Sequence, residues 1–255
     1  MCRLAARTGP SAPLSSLLYD PPRSLEVLAY DPREQQSGHV NVDGTGVAWF
    51  DDTDPDPLSY RTVRPPWSDP NLPALSRRLA STVILAAVRS TTPGLPQGPS
   101  FVHPFTSGGL AGTHNGWIAD FRATVARPLM AELSDRAFAE LPGPSDTAVL
   151  FGLAADAHQG GASVLEAAEE ATARTAKACR SLGVTATLTL VLADRTGVAA
   201  VNAAVDRPAN SLYVATDHDG AHLLASEPLD PTLDWRPVAE GARAHLTPTS
   251  LEIHP

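Results

Sequence analysis

The stretch Thr185-Ala-Thr-Leu-Thr-Leu-Val-Leu-Ala193, then Asp194-Arg-Thr-Gly197, then Val198-Ala-Ala-Val-Asn-Ala-Ala204, reads as two strands joined by a turn. Two helical patterns precede it. Ser145 to Ala157 has apolar residues at helical spacing behind a Ser-Asp start, and Ser163 to Leu182 stops ahead of Gly183. Further strands are expected at Ser211 to Thr216 and Ala221 to Ala225, around the turn Asp217-His-Asp-Gly220. Upstream, proline clusters (Pro21-Pro22, Pro55 and Pro57, Pro65-Pro66, Pro93 to Pro99) mark loops, because proline lacks the amide hydrogen that ladders and helix interiors need. Between them the apolar runs Val47 to Phe50, Thr82 to Val88 and Gly109 to Thr113 read as strands. Strands, two central helices, then more strands predict one α+β domain with helices packed on antiparallel sheets.

Composition narrows the function. The chain has 255 residues, 43% of them hydrophobic, enough for a sizeable core. With 19 Lys+Arg against 28 Asp+Glu the net charge is −9, and no basic cluster interrupts it, which argues against a nucleic-acid partner. No apolar run approaches the roughly 18 residues of a membrane span, and no signal pattern opens the chain. Two cysteines, Cys2 and Cys179, cannot build a disulfide framework, and no Cys/His group has zinc spacing. These features predict an acidic, soluble, cytoplasmic protein.

The chemistry-bearing residues begin at the second position. A cysteine next to the initiator methionine is exposed by aminopeptidase trimming, leaving thiol and α-amine in one residue. Their reference pKa values, about 8.5 and about 7.7 to 8.0, let each exchange protons with the other near neutrality. Such a nucleophile needs no separate histidine base; the alternative is an incidental Cys after Met. Arg89 ends the run Thr82 to Val88 beside Ser90, Thr91 and Thr92, where a guanidinium can grip a carboxylate or pair with a loop acid. In His114-Asn115-Gly116, at the close of a short strand, a side-chain amide and an unobstructed backbone amide suit an oxyanion hole, or form a plain Asn-Gly turn. Asp146 either accepts an ammonium or caps the helix it opens. Asn41-Val-Asp-Gly-Thr-Gly46 lacks phosphate-loop or dinucleotide spacing and reads as a turn. His103 and the other scattered histidines read as surface or core residues. Trp49, Phe105 and Trp117 line a pocket or fill the core, and Cys179 reads as packed. One ligand class needs the whole set of nucleophile, carboxylate clamp, oxyanion donors and ammonium acceptor: a γ-glutamyl group attacked at its γ-carbonyl.

In order along the chain, Met-Cys-Arg, Asn41-x-Asp43-Gly44-x-Gly46, Val88-Arg89-Ser90-Thr91-Thr92-Pro93-Gly94, His114-Asn115-Gly116 and Ser145-Asp146-Thr147 resemble the class II glutamine amidotransferases. Leu17 to Leu25, Asp31-Pro32-Arg33, Pro104-Phe105 and Ala225-Ser-Glu-Pro-Leu-Asp230 with Trp235 are similar, more narrowly, to the amidohydrolases of ergothioneine biosynthesis, which remove glutamate from γ-glutamyl-hercynylcysteine S-oxide. The resemblance implies a four-layer αββα N-terminal-nucleophile hydrolase sandwich of antiparallel sheets, one domain over residues 2–255 once Met1 is removed. It implies Cys2 as nucleophile, Asn115 and Gly116 as oxyanion hole, Arg89 and Thr92 on the α-carboxylate and Asp146 on the α-amine. No metal or organic cofactor is implied, and the expected partner is a small γ-glutamyl substrate. Leu4, Val42, Thr45 and Thr113 depart from the family's pattern without removing a catalytic group; they bear on the leaving-group side. The strands after residue 183 are expected to complete the hydrolase sheets, so a stand-alone amidohydrolase, or a subunit with a separate partner chain, is expected rather than a fused synthase. Glutathione hydrolysis, a glutaminase subunit serving a separate synthase, and an inactive γ-glutamyl-binding protein are the alternatives.

Overall fold

The computed structural model describes residues 2–51, 53–91 and 98–255. Among them the strands run β1 (Arg3–Pro13), β2 (Thr45–Trp49), β3 (Leu58–Thr62), β4 (Ala80–Val88), β5 (Phe105–Ser107), β6 (Leu110–Ile118) and β7 (Ala186–Asp194). They continue as β8 (Gly197–Val205), β9 (Tyr213–Thr216), β10 (His222–Ala225), β11 (Arg236–Pro237), β12 (Arg243–Leu246) and β13 (Leu251–His254). The helices are α1 (Ser15–Leu18), α2 (Leu25–Tyr30), α3 (Leu72–Ser76), α4 (Ala126–Met130), α5 (Asp135–Glu140), α6 (Asp146–Gln159) and α7 (Val164–Ser181).

The strands form two antiparallel sheets, ordered β11-β9-β10-β1-β4-β2-β3 and β13-β12-β8-β7-β6-β5. Alternation along each strand sends side chains to opposite faces. Leu4 and Ala6 of β1, with Val83 and Leu85 of β4, meet Ala111, Val191, Val198 and Ala200 of the second sheet in a core between the sheets. Leu188, Leu190 and Leu192 of β7 turn the other way, onto α6 and α7. The outer face of the first sheet is covered by α1, α2 and α3 through Leu17, Leu18, Leu25, Leu28 and Leu72. Helices, sheet, sheet and helices therefore stack as the four layers expected. No helix among the described residues is long and apolar enough to cross a membrane.

The two long helices start where capping chemistry places them. Ser145 Oγ accepts the Ala148 N–H at 3.1 Å, and Ser163 forms a capping box with Glu166. Ser145 is thus the cap of α6, while Asp146, one residue inside, accepts the Thr147 N–H on Oδ1 at 2.8 Å. The strand expectations need correction. β6 does not close at His114-Asn115-Gly116 but runs through it to Ile118, paired with β7 along its length. β1, central in its sheet, lies where no strand was expected; its arginines and prolines mask the pattern, and its register shifts between Thr8 and Ala12. Gly9, at φ +143°, sits in that irregularity, where an added Cβ would press on the Ala221 backbone. Strands β12 and β13, short and partly polar, also went unread.

Candidate active site

Strand β1 presents Cys2 at its start, buried to 8% exposure between the sheets. A buried ion pair fixes the residue behind it. Arg3, fully buried, donates from Nε to the Cys2 carbonyl at 2.9 Å and from Nη1 to Glu227 Oε1 at 3.1 Å. Glu227 also accepts the Arg33 and Glu34 backbone N–H groups at 2.9 and 3.1 Å. Burial pulls the Arg3 guanidinium down from its ordinary range, and the Glu227 carboxylate opposes that pull.

The Cys2 Sγ lies 3.5 Å from His103 Nε2, and His103 Nδ1 touches the Thr113 hydroxyl. Full burial, reinforced by the Arg89 charge, lowers the His103 pKa to about 3, so the ring is neutral at physiological pH. His103 was read as an ordinary core or surface histidine; it is a core histidine set against the thiol. Only its neighbour Pro104-Phe105 carried any signal, and 101 residues separate it from Cys2.

Across the gap, β6 supplies Asn115 and Gly116. Asn115 is fully buried, and neither its side-chain oxygen nor its nitrogen has a hydrogen-bond partner among the described residues. Leaving a buried amide unsatisfied costs about 1–3 kcal/mol, and both ends of this one are available to a ligand. The Asn115 carbonyl is held by Asn210 Nδ2 at 2.8 Å. A Cβ on Gly116 would collide with the Thr187 carbonyl and the His114 ring, so glycine is required there. His114 Nε2 donates to the Thr187 carbonyl at 3.0 Å, leaving Nδ1 to accept from the Thr147 hydroxyl at 3.2 Å. Burial keeps that ring neutral too.

Arg89 follows β4 and is 6% exposed; burial lowers its pKa, while Cys2, Asp43 and Asp146 draw it back up. The turn at Asn41–Gly46 positions it. Arg89 N–H donates to the Gly44 carbonyl at 2.8 Å, and Asp43 N–H donates to the Arg89 carbonyl at 2.9 Å. The Asp43 carboxylate then holds the Thr91 N–H at 2.7 Å. Cys2, Arg89, His103, His114, Gly116 and Asp146 line one cleft. The structure therefore brings together Cys2, Arg89, Gly116 and Asp146, with Asn115 beside Gly116 in the same strand; Thr92 lies outside the described residues. Phe105 and Trp49 are core residues: Phe105 packs on Phe151 and His103 with ring centres 6.0 Å apart, and Trp49 joins the cluster under the helices of the first sheet. Trp117 is half-buried, with the Arg207 guanidinium 5.6 Å over its ring. Cys179 is on the buried face of α7, where burial raises its thiol pKa to about 11. Among the described residues no group of three or more metal-ligating side chains forms.

No family model matches the sequence. Among solved structures, a glutamine aminotransferase class-II domain protein from Silicibacter pomeroyi superposes at TM-score 0.72, with 24% identity, covering 99% of this chain and 98% of that one. The glutamine phosphoribosylpyrophosphate amidotransferase of B. subtilis superposes at 0.66 with 14% identity, covering 100% of this chain and 49% of that one. The fold is therefore that of the class II glutamine amidotransferase domains, the N-terminal-nucleophile sandwich. In sequence the chain is similar to the gamma-glutamyl-hercynylcysteine sulfoxide hydrolase of Mycobacterium tuberculosis, 39% identical over 137 residues (54% of this chain, 58% of that protein). The enzyme of the same name from Mycolicibacterium smegmatis is 40% identical over 118 residues (46% and 52%). The probable glutamine amidotransferase DUG3 of Saccharomyces cerevisiae is 31% identical over 163 residues (61% and 45%). The chain thus spans about half the length of the curated relatives it matches.

Proposed function

We propose that this protein is a γ-glutamyl amidohydrolase that cleaves γ-glutamyl-hercynylcysteine S-oxide to glutamate and hercynylcysteine S-oxide through a thioester on Cys2. The observation that carries the proposal is the convergence on one cleft of a buried thiol, Arg89, Asp146 and Gly116, residues from four separate segments. The similarity to hydrolases of that name supports the choice of substrate. The catalytic unit is a single domain of residues 2–255, formed when Met1 is removed. Two free, buried cysteines support a reducing, cytoplasmic setting.

Magnitudes decide which group takes the thiol proton. Free thiols and α-amines have similar reference pKa values, so a transfer between such groups is almost neutral. The His103 ring, its pKa lowered to about 3 by burial, is a far weaker proton acceptor. The amine is the base, and neutral His103 holds the sulfur in place. Arg89 and Thr92 take the substrate α-carboxylate and Asp146 its α-ammonium. The thiolate adds to the γ-carbonyl, and Asn115 Nδ2 and the Gly116 N–H receive the oxyanion. As the C–N bond breaks, the α-ammonium of Cys2 returns its proton to the leaving amine. Water, deprotonated by the same amine, then splits the thioester, releasing glutamate and the free thiol.

Glutamate release from γ-glutamyl-hercynylcysteine S-oxide, glutathione and glutamine, compared by kcat/KM, tests the assignment. The sulfoxide is expected to lead. Cys2→Ala is expected to abolish release from all three while thermal unfolding stays near wild type; turnover by that variant would overturn the proposal.

A further inference from the structure

Among the described residues the Cys2 sulfur has two polar neighbours. The Ser90 carbonyl, at 3.9 Å, can accept the thiol hydrogen, and His103 Nε2 stands at 3.5 Å. What Nε2 offers the sulfur depends on which ring nitrogen carries a hydrogen. The ring itself is firmly placed. His103 is 3% exposed and packs edge-on against Phe105 with ring centres 6.0 Å apart. Its backbone lies flat on Gly46 of β2, where any Cβ would collide with the His103 carbonyl.

Thr113 decides the tautomer. It precedes Asn115 by two residues in β6, so both side chains leave the strand on one face. Thr113 is 1% exposed, and among the described residues its hydroxyl meets a single polar partner, His103 Nδ1. A hydroxyl shut away from water must give its hydrogen to an acceptor or leave it unsatisfied at a cost. Nδ1 is the acceptor in reach, so Nδ1 is bare. Burial and the Arg89 charge outweigh Asp146 and keep the ring neutral, and a neutral imidazole with a bare Nδ1 carries its hydrogen on Nε2. The Nε2–H is therefore turned to the sulfur, and the thiol hydrogen is left to the Ser90 carbonyl.

Resting on the amidohydrolase reading, we propose that His103 is a catalytic hydrogen-bond donor to the Cys2 thiolate, and that Thr113 is the positioning residue that locks it in the donating tautomer. When the α-amine takes the thiol proton, the bond to the Ser90 carbonyl is lost. The bond from Nε2–H becomes charge-assisted and strengthens. No proton passes through the ring: it moves from sulfur to amine, and His103 keeps its own. The donor serves again in the second half-reaction. There the C–S bond breaks, its electron pair goes to sulfur, and Cys2 leaves as the thiolate that Nε2–H receives.

Nitrogen NMR shifts of the histidine rings in the full chain read the tautomer directly, the His103 signals being those missing from His103→Asn. Wild type is expected to show Nε2 protonated and Nδ1 bare at neutral pH. A hydrogen on Nδ1 would overturn the proposal with no turnover measured. Thr113→Val keeps the side-chain shape and removes the hydroxyl. It is expected to mix the tautomers and to lower kcat for glutamate release about tenfold with KM little changed, and Thr113→Ser is expected to restore both. An unchanged kcat in folded Thr113→Val, or a loss confined to KM, would overturn the donor while the amidohydrolase reading stands. If wild type releases glutamate from no γ-glutamyl amide, both are overturned together, whatever the ring shows.

Discussion

Strands β1 and β6 face the same cleft and are fastened by different chemistry. β1 begins one residue after Cys2, the proposed nucleophile, and charges hold that end: Arg3 on Glu227, with Arg23 at 3.6 Å from the same carboxylate. β6 carries Asn115 and Gly116, the proposed oxyanion donors, and neutral groups hold it. Asn210 grips the Asn115 carbonyl, Thr187 and Thr147 fix His114, and Asn202 ties Thr189 Oγ1 at 2.7 Å to the Asn210 carbonyl at 3.1 Å. A buried ion pair fixes a chain start firmly but carries a large desolvation cost that only intact partners offset. A strand that must receive a developing negative charge is better served by oriented dipoles, because a fixed anion beside it would oppose the reaction.

The largest effect separating the two strands is expected at Glu227. Glu227→Ala leaves Arg3 buried without its partner, and denaturant unfolding should show a loss of about 3–5 kcal/mol. A loss below about 1 kcal/mol would remove the charged half of the contrast. Asn115→Ala should act on the reaction instead, lowering kcat/KM by about 3 kcal/mol, on the order of a hundredfold. Because the Asn115 side chain has no hydrogen-bond partner among the described residues, its unfolding midpoint should hardly move. A variant that lost stability and kept its rate would show the donor to be structural.

Acid titration sharpens the contrast at the contact between the strands. The folded-state pKa of His103 is about 3, below the roughly 6.5 of an unfolded histidine, so the folded chain binds fewer protons in that window. Its contribution is complete above about pH 6.5 and is lost as pH falls toward 3, reaching about 2 kcal/mol of loss at pH 5. His103→Asn should flatten the stability–pH curve by that amount; an unchanged slope would place the proton elsewhere. The smallest effect is expected at Ser145→Ala, which removes the α6 cap at about 1 kcal/mol, read as a lowered Tm.

What could be read from sequence divides along physical lines. β4, β7 and β8 are buried on both faces and appear as nearly unbroken apolar runs, and α6 and α7 carry capping serines, so local pattern and tertiary environment agree. β1 was hidden because Arg3 and Arg7 look like surface residues until Glu227 and Asp217, more than 200 residues away, neutralise them. Asn115-Gly116 mimics a turn, and only the pairing with β7 shows it to be mid-strand. Cys2, Arg89, Asn115, Gly116 and Asp146 were legible as residue types in a familiar order. The closeness of His103 to Cys2 arises from the sandwich itself, and no local pattern encodes it.

The central claim is that Cys2 becomes a chain-terminal nucleophile, and intact mass spectrometry tests it most directly. The purified protein, quenched in acid before and shortly after mixing with γ-glutamyl-hercynylcysteine S-oxide, should lack Met1. It should transiently gain the mass of one glutamyl group, absent in Cys2→Ala, as glutamate appears. A protein that releases glutamate with Met1 still attached, or that carries the adduct in Cys2→Ala, would contradict it.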